Sequence, residues 1–142
     1  MTNVELSPIQ IANLSLHSVH FERADESLAE GVDESDYELS VSIAIGQPEH
    51  EPNDAIVRLV IEVDWEETPS PFQLSIEYRA FVRQDGSLDD EDFKRICRAR
   101  ITTIMLGSLR PMVRRLMSEA DEPFRLPLFD LRELFNKSAG DE

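Results

Sequence analysis

Residues 37–45 read Tyr37-Glu38-Leu39-Ser40-Val41-Ser42-Ile43-Ala44-Ile45, and residues 57–65 read Val57-Arg58-Leu59-Val60-Ile61-Glu62-Val63-Asp64-Trp65. In both stretches every second residue is large and apolar. Side chains in a strand point alternately to its two faces, so each stretch predicts a strand with one face buried and one wetter. Gly46, Pro48, Pro52 and Asn53 supply the turn between them. A third run follows the turn at 68–71, with Phe72, Leu74, Ile76 and Tyr78 alternating against Gln73, Ser75, Glu77 and Arg79. Three such strands joined by turns make an antiparallel meander.

Working outward, residues 9–22 have strand character with two breaks of phase. Ile9 and Ile11 share one face, Leu14 and Leu16 fall on the other, and Val19 and Phe21 return to the first. Each break predicts a bulge or bend, because one extra residue shifts a period of two. This gives a fourth strand, and residues 23–35 form an acidic loop. On the other side of the meander, Asp85-Gly86-Ser87 stops the alternation and Asp89 or Asp90 is placed to cap a helix. Phe93, Ile96, Cys97, Ile101, Ile104 and Met105 then recur at helical spacing, and Met112, Val113, Leu116 and Met117 prolong the stripe. Gly107, Ser108 and Pro111 predict a kink there, or two consecutive helices. Pro123 and Pro127 hold residues 121–129 extended, and Asp130–Phe135 is expected to be a short terminal helix. The reading is a single α+β domain over 1–142, with 1–8 and 136–142 as flexible ends.

A chain of 142 residues suffices for one core, since a domain of this size buries roughly two thirds of the surface its unfolded chain exposes. The net charge of −15 argues against nucleic acid and anionic membranes as partners. That charge is uneven. Residues 22–54 hold eleven acids against Arg23 alone, whereas residues 94–115 hold seven bases and no acid. Such runs are ordinarily solvated faces or pair with neighbouring elements, and an anion-binding site on the helix is the alternative. The single cysteine, Cys97, excludes an intrachain disulfide and a cysteine metal cluster. It lies on the apolar side of the predicted helix and is read as a buried, inert thiol. The start of the chain has no basic-then-apolar signal pattern, and a cytoplasmic protein without a membrane span is expected.

No catalytic constellation emerges, and neither a metal nor another cofactor is expected. His17 and His20 lie three apart on one strand and are therefore expected to point to opposite faces, poor geometry for a shared metal. His50 sits in a turn among acids. Glycine-rich phosphate loops, nucleophile elbows and calcium-loop spacings are absent from the sequence. Binding is what remains. The segment containing Phe124, Leu126, Leu128 and Phe129 is too apolar for a free linker. With Tyr37, Trp65, Phe72, Tyr78 and Phe81 it either covers the core and a subunit interface or lines a binding groove.

The order of these segments resembles the SecB family of bacterial export chaperones. Ile9-Gln10-Ile11 through Val19-His20-Phe21-Glu22 is similar to that family's first strand, and Tyr37-Glu38-Leu39 to the Tyr-Glu-Val opening its second. Leu109-Arg110-Pro111-Met112-Val113-Arg114 is similar to the family's Leu-Phe-Pro-Tyr-Ala-Arg. The Pro123–Phe135 segment, closing on Phe129-Asp130-Leu131-Arg132-Glu133-Leu134-Phe135, is similar to its proline-rich segment and final Asn-Phe-Asp-x-Leu-Phe.

The resemblance covers roughly residues 9–135. It implies a four-stranded antiparallel sheet packed with a long helix, assembled as a dimer of dimers. It also implies an ATP-independent holdase for non-native polypeptides, with preproteins handed to the SecA motor or an unstable antitoxin as client. The interface candidates under that implication are Val19, Phe21, Ile101, Met105, Leu109 and Met112. Ser18 and Ser75 stand where the family carries acids, and little chain follows Phe135. Those are regions through which classical members contact SecA, so the antitoxin role fits this sequence at least as well as export. The alternatives are an adaptor module with one fixed folded partner, and a small-ligand or enzymatic domain with a closed polar pocket.

Overall fold

The computed structural model describes residues 6–23, 37–65 and 72–120, together with Phe124 and Leu126. Four strands, β1 (Ile9–Arg23), β2 (Tyr37–Gly46), β3 (Asp54–Trp65) and β4 (Phe72–Gln84), form one antiparallel sheet in the order β1-β4-β3-β2. Strands β2 to β4 are the meander, and β1 returns to pair with β4. The ladders β2/β3 and β3/β4 run without a register shift. β4 extends past Arg79 because Ala80, Val82 and Gln84 carry its buried row onward.

The two phase breaks in β1 are both bulges. Register shifts lie between Ile11 and Asn13 and between Leu16 and Ser18, leaving Ala12 and His17 as the extra residues. As a result Ile11, Leu14, Leu16, Val19 and Phe21 stand opposite Val82, Ala80, Tyr78, Ile76 and Leu74. All five therefore share the sheet's inner face, the face on which the apolar rows of β3 and β4 are buried.

This arrangement carries a prediction. Deleting Ala12 or His17 leaves a strand whose alternation is already in phase, so each deletion should preserve the fold at a cost under about 2 kcal/mol. Deleting Ser42 from the unbroken strand β2 inverts one of its rows and should prevent folding. Circular dichroism and chemical denaturation of the three variants check this.

Beyond β4, Gly86 turns the chain at φ +94°, a conformation open to glycine at little cost. Asp89 caps the helix, its carboxylate accepting from the Asp92 N–H at 2.7 Å. Helix α1 (Asp90–Ile96) passes through a π-helical turn (Cys97–Ile101) into α2 (Thr102–Glu119).

Of the two expectations at Gly107–Pro111, a split into two consecutive helices is not what forms. Both residues lie inside α2, and the departure from α geometry falls ten residues upstream of Gly107. The cause is legible in the stripe. Phe93, Cys97, Ile101, Met105, Leu109, Val113 and Met117 recur every four residues and all are buried. An ideal α-helix turns about 40° past a full circle in four residues, so such a stripe drifts off the sheet. One wider turn takes up an extra residue and resets the phase.

The helical stripe closes the core against β3 and β4, with the π-turn also meeting β2. Ile101, Met105 and Leu109 are thus buried within the chain's own core, at 4%, 0% and 0% exposure. Of the residues named as interface candidates, Val19 and Met112 are exposed and Phe21 is half-buried. Cys97 is fully buried and its thiol is pushed up to about 11 by desolvation, which leaves it protonated and unreactive at neutral pH. The short helix expected at 130–135 lies outside the described residues. No helix among the described residues is long and apolar enough to cross a membrane.

Candidate polypeptide-binding site

Four aromatic rings meet where β1 ends, β3 ends and β4 begins. Phe72, the first residue of β4, is 2% exposed and sits at the centre of the group. Its ring centroid lies 5.8 Å from Phe21, 5.3 Å from Trp65 and 5.4 Å from Phe124. The Trp65 and Phe124 pairs are edge-to-face, a geometry that aligns the positive ring edge with the negative face. Phe21 and Trp65 are half-buried, as is Leu126, so the cluster has a solid floor and an open rim.

Strand β2 continues this surface. Its backbone starts at Tyr37, which pairs with Trp65. From there Leu39, Val41, Ile43 and Ile45 form an inner row that is only half-buried. Their counterparts Val63, Ile61, Leu59 and Val57 on β3 are covered almost completely. The helix therefore roofs the middle of the sheet and leaves the row of its β2 edge partly open.

The residues named from the sequence divide among several places. Trp65, Phe72 and Phe124 come together in the cluster, and Leu126 packs against the same core. Tyr78 is also on the inner face but is 6% exposed, beneath the helix. Phe81 lies on the opposite, outer face, 39% exposed and paired with Asn13 and Ile56. The Tyr37 side chain, Leu128 and Phe129 lie outside the described residues. Phe21 joins the cluster although its sequence reading made it an interface residue. The half-buried row of β2 was not singled out, because strict alternation reads the same for a covered row and an open one.

The outer face is charged and holds itself together across strands. Glu77 accepts hydrogen bonds from Arg58 Nη2 at 2.8 Å and Arg79 Nε at 2.7 Å, and His17 Nε2 lies 3.6 Å away. Arg83 bonds both carboxylate oxygens of Asp54, at 2.8 and 3.3 Å. The bulge at His17 corrects the expectation for the histidines. His17 reaches Glu77, and His20 pairs with Ser75, so both lie on the outer face. No group of three or more metal-ligating side chains forms among the described residues. A shallow depression of about 360 Å³ beside His20, Glu62, Asp64 and Ser75 is polar and open.

Glu77 titrates far from its ordinary range. The Arg58 hydrogen bond, reinforced by Arg79 and opposed by partial desolvation, lowers its pKa from 4.5 to about 2. A depressed folded pKa contributes stability that is complete above the unfolded value and is lost as pH falls toward the folded one. The Glu77 contribution is therefore present above pH 4.5 and disappears between there and about 2. Glu77→Gln should remove that part of the acid slope, so its stability curve and the parent's converge on acidification. Urea denaturation at a series of pH values checks the convergence.

An antiparallel four-stranded sheet with one long helix across it defines an α+β class, and comparison with solved structures places it further. The chain superposes on a SecB-like chaperone of Mycobacterium tuberculosis, solved in complex with a peptide from the HigA1 antitoxin, at a TM-score of 0.66. The match covers 86% of this chain and 91% of that one, with 15% sequence identity. A protein of unknown function from Streptococcus agalactiae matches at a TM-score of 0.42 and 11% identity, over 86% of this chain and 97% of that one. No family model and no curated protein sequence matches. The fold is the SecB-like fold.

Proposed function

We propose that this protein is a holdase that binds non-native polypeptide without nucleotide, with its binding surface on the Trp65–Phe72–Phe124 cluster and the open row of β2. The observation that carries this is the continuity of the two. An aromatic floor with a half-buried rim runs into four half-buried aliphatic side chains, Leu39, Val41, Ile43 and Ile45. An extended chain exposing alternate apolar residues fits such a strip. The net charge of −15 keeps a client-loaded protein soluble and steers basic clients toward it. The M. tuberculosis neighbour's complex with an antitoxin peptide supports an unstable antitoxin as the client class.

Self-assembly belongs to the same proposal. Leu16 and Val19 on β1 and Ile104 and Met112 on the helix are exposed at 46%, 42%, 47% and 37%. Burying them between copies would complete a homo-oligomer.

Trp65 is the only tryptophan and lies at the rim, which makes it a reporter. Titration with an unfolded protein should shift its emission to the blue, and unrelated unfolded proteins should compete. Emission that responds to none of them, but only to one folded partner, would replace the holdase by an adaptor.

A further inference from the structure

The sheet has two edges, and they differ. β1 is interrupted by bulges at Ala12 and His17, which break its regular ladder and twist it. β2 has no bulge, no proline and no lysine along its 10 residues, and among the described residues it pairs only with β3. An unbroken edge of this length presents alternate N–H and C=O groups ready to pair with another chain, and proteins ordinarily blunt such edges. Its inner row, Leu39, Val41, Ile43 and Ile45, is left half-covered, as if one strand were missing beyond it. Its outer row begins at Glu38, beside Asp64 and next to Glu62 on β3, and then turns neutral through Ser40, Ser42 and Ala44.

From this we infer that β2 takes up an extended polypeptide segment as a fifth strand of the sheet, antiparallel to β2. The inference rests on the polypeptide-binding reading above and adds the mode of capture. Backbone hydrogen bonds hold the segment whatever its sequence. Alternate apolar side chains of the segment cover the open row. A basic residue near its C-terminal end meets Glu38, because an antiparallel segment ends beside the start of β2. The preferred client stretch is thus an alternating apolar and polar segment closing on lysine or arginine.

Backbone methylation tests this directly. The probe is a 10-residue peptide, the length of β2, of alternating valine and threonine with a C-terminal lysine. Two further versions carry N-methyl groups on every valine or on every threonine. Successive residues of a strand aim their N–H groups at opposite edges, so only one series blocks the edge facing β2. Binding is read by anisotropy of a fluorophore on the peptide.

One methylated series should bind at least about tenfold more weakly than the parent, through several lost hydrogen bonds, and the other within about twofold. Equal weakening by both series would overturn strand addition while leaving the holdase reading intact, as would failure of all three peptides to bind a protein that still suppresses client aggregation. Loss of aggregation suppression together with the asymmetric result would overturn the holdase reading and leave strand addition standing. Self-association of the chain that the parent peptide dissolves would assign the edge to a second copy instead.

Discussion

Phe72→Ala is expected to cost about 3–5 kcal/mol of folding stability, the range for truncating a fully packed phenylalanine. Phe72 is 2% exposed and touches three other rings, from β1, from β3 and from the segment that follows the helix. Truncation removes the buried ring and leaves a cavity that four separate elements would have to close. Domains of this kind are stable by only about 5–15 kcal/mol, so the variant should be partly unfolded at moderate temperature. A fall in the denaturation midpoint at unchanged slope would identify a loss of stability alone. A variant within about 1 kcal/mol of the parent would mean that the cluster does not tie these elements together.

Trp65→Ala should separate binding from folding. Trp65 lies at the rim of the cluster, so its loss should be milder for the fold than that of Phe72. At a binding surface, tryptophan is a frequent anchor, and truncating one costs about 2 kcal/mol or more, near thirtyfold in affinity. Affinity for a labelled unfolded client, measured by anisotropy, should drop on that scale, with folding confirmed by circular dichroism. Phe81→Ala is the matched control. It removes an exposed aromatic of the outer face and should leave client affinity unchanged. Equal losses from the two substitutions would place the binding surface elsewhere.

Much of the sheet was legible because strict alternation has one simple cause. The rows of β2 and β3 begin and end within a few residues of their readings, whereas β4 begins at Phe72 as read but runs on past Arg79 to Gln84. The phase breaks of β1 announced both bulges, yet they could not tell which faces resulted. That outcome depends on pairing with β4, which brings Leu14 and Leu16 back to the inner face and places His17 and His20 together on the outer one.

The helix taught a different lesson. Gly107 and Pro111 are weak helix formers, and local preference gave way to the apolar stripe that runs through them. The π-turn was readable in principle from the repeat of four between Phe93 and Met117.

Site residues were harder to read, for a physical reason. A leucine or methionine in the core, at an interface and in a groove has the same chemistry, so Ile101, Met105 and Leu109 gave no sign that the helix buries them against the sheet. Phe81 fell beyond the end assigned to β4, so nothing fixed its face.

The central claim is that this chain holds non-native polypeptide. Light scattering of a chemically unfolded client, diluted into the purified protein without nucleotide, tests it most directly. Aggregation should be suppressed in proportion to the protein added, and much less by Trp65→Ala. An unchanged aggregation curve at several-fold excess of folded protein would contradict the account.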